Sequence, residues 1–479
     1  FGSSAMQQLL WGACGRGDAH MGVGASGSGG RGLCYQAPKD GCSPCVGPSS
    51  SCCAWRGDGD PVHERDWAEN LDSKDVKALV QRFACADCTR TGGHFLANSD
   101  LPPELELIHK DTMCSALRAN ESMRSLIVGD VSPQASRLLA EAAAQAAGTH
   151  LEEVKFIGRR ADDALAKLLG MMLRPVWASP PRLRRLTIAH PRRNALTDQG
   201  GIPLVQALAE NTQLQSLVLF GTRLGDGTAW ALSSALEQNS TLEELVLYGK
   251  CITGRGVASI SRLFQDGNCS LHELVLGGTD FRNEDACELI RAVASSQRGP
   301  SDAPQGPGRL KKFGLVNAML GNDAGRAVAA VHLFACGLTE VTLALGRATD
   351  EVAAILANSL GALSEEGSEA SQLAASFDAR LSILRLAMGA AGDASVQAFH
   401  GTLERCVSLE KLELATGAST GIATPRLAAE VEATAAGCPL SASSPKRSLI
   451  VHHGFGSYLD EVIYPTIMLH GIPIECDGL

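Results

Sequence analysis

The chain has 479 residues, of which 45% are apolar and 4% aromatic, and a formal net charge of −10. That balance suits a folded protein, and the lack of a basic excess argues against bulk binding of nucleic acid. No run of eighteen or more apolar residues occurs, so no membrane span is expected.

Residues 1–70 are rich in Gly, Ser and Cys and are expected to be disordered, with 14 of the 51 glycines falling in the first 60 positions. Gly22-Val-Gly24-Ala-Ser-Gly27 spells a dinucleotide-type loop, but neither the strand that should precede it nor the helix that should follow is present. Arg16-Gly17-Asp18 and Arg56-Gly57-Asp58 are read as chance tripeptides. Met6 to Trp11 is too short and poorly flanked for a signal-peptide core.

Nine of the 16 cysteines precede residue 115. Cys42-Ser-Pro-Cys45 and Cys85-Ala-Asp-Cys88 could each lend two thiolates to a zinc ion. The 39 residues between the pairs are long for a zinc ribbon, and the second pair follows an amphipathic helix over 73–84 carrying Val76, Leu79, Val80 and Phe83. Ordinary reduced thiols are therefore expected, with no metal and no cofactor, in an intracellular and most simply cytoplasmic setting, an organelle being left open.

Residues 71–122 are read as an N-terminal cap, with Leu105 and Leu107 as a shortened strand and Met113 and Leu117 on a helix. An array of stacked repeats needs such an end piece, because its first repeat otherwise exposes an apolar edge. From Met123 one pattern recurs, with apolar residues at positions 1, 4 and 6. Its clearest copies are Leu214-Gln-Ser-Leu217-Val-Leu219, Leu242-Glu-Glu-Leu245-Val-Leu247 and Leu271-His-Glu-Leu274-Val-Leu276. Ten strands are expected to start at Met123, Leu151, Leu183, Leu214, Leu242, Leu271, Leu310, Leu338, Leu381 and Leu409, on a basic period of 28 with loop insertions. Between them the apolar spacing turns helical, as at Ala229, Leu232 and Leu236, so each repeat is a strand, a loop and a helix. Residues 123–440 hold about ten such repeats, and 441–479 are read as a terminal strand, Lys446 to Val451, with a C-terminal cap.

The Leu214 to Phe281 stretch, with Thr222-Arg-Leu224-Gly-Asp-Gly227, Ala231-Leu232, Ala235-Leu236 and Asn239-Ser-Thr-Leu242, resembles the leucine-rich-repeat family, in its ribonuclease-inhibitor-like class. That class is also found in NOD-like receptors and the Ran GTPase-activating protein. The resemblance implies an α/β leucine-rich-repeat solenoid, a horseshoe with parallel strands on the concave face and helices on the convex face. One position departs from the family: the third after the last strand leucine, usually Asn or Cys, is Thr222, Lys250, Thr279, Ala318, Gly346, Gly389 and Gly417. The ladder that satisfies loop backbone groups should thus be incomplete, and the later repeats less regular.

Side chains alternate along a strand, so positions 4 and 6 face the core and positions 3, 5 and 7 the other face. This singles out Val218, Phe220, Val246, Tyr248 and Val275 as neighbours exposed by parity. Arg185, Glu244, Glu273 and Lys312 frame them with charge. Apolar anchors ringed by charge have the composition of a binding hot spot, whereas the plainer reading is that β-branched residues are good strand formers. The insertions Leu173–Arg182, Arg298–Arg309 and Gly361–Asp378 are read as tolerated disordered loops.

No Walker loop, His-Glu-x-x-His helix, Gly-x-Ser-x-Gly elbow or kinase signature occurs. The expected function is a non-enzymatic protein-interaction scaffold that binds another protein on the strand face, not a small molecule or nucleic acid. A GTPase regulator resembling the Ran activator and a structural subunit of a larger assembly are the alternatives.

Overall fold

A computed structural model describes residues 93–96, 110–417 apart from short connecting segments, 448–453, Leu459 and Ile463. The segments left out within 110–417 are 121–122, 130, 146–150, 175–181, 191–193, 266–269, 279, 299–309, 378 and 407. The two N-terminal Cys-x-x-Cys pairs, the glycine-rich stretch and the Arg298–Arg309 loop beyond its first residue lie outside the described residues.

The chain forms two compact units, Phe1–Ala189 with Leu469–Leu479, and His190–Met468. In the first, β1 (Gly93–Leu96), β2 (Ser125–Val128), β3 (Glu153–Ile157) and β4 (Arg185–Ala189) pair in parallel, in sequence order. Helices α1 (Lys110–Ala119), α2 (Pro133–Gln145) and α3 (Asp163–Leu173) are the crossovers. Met113 and Leu117 are buried on α1 as expected, and the shortened strand expected at Leu105 and Leu107 lies outside the described residues.

In the second unit, β5 (Ser216–Gly225), β6 (Glu244–Cys251), β7 (Glu273–Gly277), β8 (Lys312–Asn317), β9 (Glu340–Thr349), β10 (Ile383–Ala390), β11 (Lys411–Thr416) and β12 (Ser448–His453) form a second parallel set in sequence order. The helices are α4 (Asp198–Gln206), α5 (Asp226–Leu236), α6 (Gly254–Gln265), α7 (Asn283–Gln297), α8 (Asn322–Ala330), α9 (Asp350–Gly361), α10 (Glu369–Ala375) and α11 (Asp393–Arg405). Each unit is thus an α/β solenoid of strand–helix repeats.

All ten expected strands are present, and the register pairs position 4 with position 4, as in Leu217, Leu245, Leu274 and Phe313. These side chains are at most 1% exposed, and the helices close over them through residues such as Ala229, Leu232, Val257 and Ile260. Parallel strands need such covering crossovers, which is why at least one helix stands between every two successive strands from β2 to β11.

The later strands β8 to β11 keep their position-to-position pairing, with one shift between Met388 and Ala390, and glycines line their close approach. A Cβ on Gly346 would fall on the Ala318 carbonyl oxygen, one on Gly389 on that of Gly346, and one on Gly417 on that of Gly389. Backbone stacks on backbone here, so a side-chain ladder is neither needed nor sterically allowed. Gly389→Ala should lower stability by about 1 to 3 kcal/mol through overpacking. Gly401→Ala, on α11 where a Cβ meets nothing within 4 Å, should be neutral or stabilising. Urea unfolding of the two variants checks this, and equal midpoints would contradict it.

Two polar ladders serve the helix ends. Asn120, Asn211 and Asn239 are buried, and their Oδ1 atoms accept from the N–H groups of Met123, Leu214 and Leu242 at 2.9, 2.7 and 2.8 Å. At the other end, the first residue of one helix caps the next. Asp198 Oδ1 accepts from Gly225 N at 2.8 Å, Asp226 Oδ1 from Thr253 N at 2.8 Å, Asn322 Oδ1 from Thr349 N at 2.9 Å and Asp350 Oδ1 from Gly392 N at 2.8 Å. Orphan N–H groups of each helix are thereby satisfied from the neighbouring repeat.

Burial pulls the Asp350 carboxyl up, but the Ser395 hydroxyl and the backbone N–H groups of Gly392 and Ser395 outweigh it and hold the pKa below its ordinary value. A carboxylate lowered in the folded state stabilises above its unfolded pKa, about 4, and that contribution is lost as pH falls through the lower folded value. The melting-temperature gap between the native protein and Asp350→Ala should therefore narrow as pH drops below about 4. A constant gap from pH 7 to 3 would contradict the ladder's electrostatic part.

Within the insertion the described residues 361–377 include helix α10, contrary to the disordered loop expected there. Ser368 Oγ accepts from Ser371 N at 3.0 Å to cap α10, and also donates to the Ala362 carbonyl at 2.6 Å. Phe377 packs where a Cβ on Gly337 would stand, and that glycine's φ of +74 is a conformation that L side chains rarely adopt.

Candidate strand-face site

The register brings the sequence-selected residues together. Val218, Val246 and Val275 are consecutive partners across β5, β6 and β7, as are Phe220, Tyr248 and Gly277. The Phe220 and Tyr248 rings stack with centroids 4.6 Å apart at an interplanar angle of 26°.

The expected exposure does not hold. Phe220 is 0% exposed, Val246 1%, Val218 2%, Val275 7% and Tyr248 8%. Parity assigns these side chains to the face opposite the leucines, but that face is closed at positions 5 and 7. The cause lies partly in how the side chains lean: a Cβ on Gly277 would collide with the Tyr248 ring, and one on Gly314 would meet Val275 Cγ2 at 2.9 Å. Each large side chain lies over a glycine on the next strand. Strands of parallel sheets are commonly buried on both faces, and these five residues form a second apolar layer.

The framing charges remain in reach of solvent to different degrees. Glu244 is half-buried, Glu273 is 7% exposed, and Lys312 Nζ lies 3.1 Å from Glu273 Oε2 with its side chain 41% exposed. Burial pulls the Lys312 pKa down, but Glu273, Glu340 and Glu244 together raise it above the usual lysine value, so the ammonium is held charged. Arg185 belongs to the first unit, where its Nε lies 3.0 Å from Glu153 Oε1.

Sequence reasoning missed two clusters on the same face. In the first unit Glu153 joins Arg185, Lys155 Nζ at 3.1 Å and the Ser125 hydroxyl at 2.6 Å. Burial lowers the Lys155 pKa against the pull of Glu153, while Lys155, Ser125 and Arg185 outweigh burial to lower that of Glu153. In the second unit Arg385 joins Glu340 and Glu413, the latter at 3.1 Å from Arg385 Nε, and Lys411 also reaches Glu413. The signal was available, since Lys155, Arg385 and Glu413 stand at position 5, where the central repeats carry valine, with Glu413 one repeat from Arg385 and Glu153 two residues before Lys155 on its own strand.

The surface left open is the N-terminal end of the strands, at positions 2 and 3. Gln215, Glu243, Lys311 and Glu410 are exposed, and Glu244, His272, Lys312, Glu340 and Lys411 are half-buried. Among the described residues no group of three or more His, Cys, Asp or Glu could hold a metal ion, and no helix is long and apolar enough to cross a membrane. Of the described cysteines, Cys114, Cys287, Cys336 and Cys406 are buried free thiols and Cys251 is exposed.

No protein-family model matches the chain, and no curated protein matches it. Among solved structures, the chain is similar to the second actin-binding site of leiomodin-1, at 23% identity and a TM-score of 0.21, over 25% of this chain and 62% of that one. It therefore spans less than two thirds of that structure. It is also similar to the yeast Rad7–Elc1 complex, at 14% identity and a TM-score of 0.36, over 80% of this chain and 88% of that one. At these scores neither likeness carries the fold, which rests on the repeats themselves.

Proposed function

We propose that the chain is a protein-interaction scaffold of ribonuclease-inhibitor-like leucine-rich repeats, acting by binding another protein rather than by catalysis, in a reducing intracellular setting. The observation that carries this reading is the row of polar and charged side chains at position 2, with exposed Gln215, Glu243, Lys311 and Glu410, on a sheet whose positions 5 and 7 are closed in β5 to β8. A rigid sheet presenting ordered charges gives orientation and rate of encounter at little entropic cost. The apolar layer beneath supplies rigidity, a different role from the anchoring one expected of Phe220 and Tyr248.

The test is capture of partners from the native source, with mass spectrometry of what is retained, by the native chain and by a variant reversed at the exposed Lys311, Lys311→Glu. A specific protein should be retained by the first, with affinity for the variant lowered about tenfold while melting temperature changes little, as charge reversal at an exposed interface allows. Equal retention by both would contradict the assignment of binding to this row.

A further inference from the structure

The insertion between α9 and β10 docks on the turn that follows α8, and two residues with positive φ shape that turn. His332 has φ +48 and ψ +45, and among the described residues it is the one non-glycine with a positive φ. L side chains adopt this conformation only at a cost. The turn holds it in place: His332 N donates to Ala329 O at 3.0 Å, Ala335 N to His332 O at 2.8 Å, and the Cys336 thiol to the same His332 carbonyl at 3.4 Å. Gly337, with φ +74, closes the turn.

The insertion meets this turn at both ends of α10. Glu369, the first residue of α10, brings Oε2 to 3.7 Å from His332 Nε2. Just past the last residue, Phe377 lies over Gly337, where a Cβ would meet its Cδ1 at 2.7 Å. Between the two contacts α10 packs on the 3-10 turn Leu333–Ala335, whose residues are at most 2% exposed. One contact is apolar and indifferent to pH. The other becomes an ion pair only when the imidazole carries a proton.

We propose that α10 is a strap over the 332–337 turn, and that protonation of His332 holds the strap down more firmly by completing an ion pair with Glu369. The other charged or titratable groups beside the turn and ahead of α10 are Arg298, which donates to the Val331 carbonyl, the buried Cys336 thiol, Glu365 and Glu366. Among these types histidine is the one that changes charge between about pH 5 and 8. The strap is therefore tighter in mild acid and looser above neutrality. The Glu369 side chain is 86% exposed, so the difference is small and the Phe377 contact keeps α10 docked at either pH.

The test is hydrogen exchange of the full chain at about pH 5.5 and 7.5, read by mass spectrometry on the amides from Gln372 to Phe377. Rates are corrected for the intrinsic pH dependence of exchange and referred to α9 and α11 in the same digest. Protection of α10 should be about twofold greater at the lower pH, as expected for an exposed ion pair. His332→Asn, a residue that tolerates the left-handed conformation, should keep the strap and abolish that difference. Phe377→Ala should lower protection by about threefold or more at both pH values, because it removes the apolar contact. Equal protection of the native strap at the two pH values, or a difference that survives in His332→Asn, overturns the proposal. So does unchanged protection in Phe377→Ala, which would mean that α10 is not held on this turn.

Discussion

Phe220→Ala is expected to lower stability by about 3 to 5 kcal/mol, the range for emptying a fully buried aromatic site. The ring is 0% exposed and stacks on Tyr248, which in turn lies over Gly277. Its backbone is fixed as well: Phe220 O accepts from His190 N at 3.1 Å, and the next residue, Gly221, has φ +71 and approaches the His190 carbonyl where a Cβ would stand. The cavity therefore cannot collapse by moving the strand. Urea unfolding should show a lower midpoint at unchanged slope, with Phe220→Leu intermediate between the two. A midpoint like that of the native protein would mean that Phe220 is at the surface after all.

Removing Arg385 should have the second large effect, about 3 kcal/mol for Arg385→Met, because it breaks a largely buried ion cluster on one side. The Arg385 side chain is 12% exposed and that of Glu413 5%, so the carboxylate loses its guanidinium partner without gaining much water. Lys411 still reaches Glu413, which keeps the cost at the lower end of the range. Adding Glu413→Gln to Arg385→Met should recover part of the loss, and the double-mutant cycle measures the coupling. Strict additivity would show that the two groups do not interact.

The fold was legible in the sequence because the period is. Leucines 28 or 29 residues apart over Leu214 to Leu276 leave one arrangement that buries all of them, and the register of β5 to β7 is that arrangement. The candidate site was legible only as a set of neighbours. Strand parity tells which face Val246 and Tyr248 share, but burial depends on what lies over that face, and Gly277 and Gly314 gave no hint that rings and valines would fold onto them. Gly346, Gly389 and Gly417 were read as gaps in a ladder, since a sequence shows the absence of a side chain but not the carbonyl oxygen that excludes it. Arg385 and Glu413 occupy position 5 of adjacent repeats, so their pairing follows from the same period.

The account's central claim is that on β5 to β8 positions 5 and 7 are core and position 2 is surface. Thiol labelling tests it most directly. Val246→Cys and Lys311→Cys, each in the otherwise native chain, are exposed to a thiol reagent under folding conditions, with peptide mapping to separate them from the exposed native Cys251. The account predicts rapid labelling at 311 and, at 246, protection that is lost only on adding urea. Labelling at 246 as fast as at 311 would contradict it.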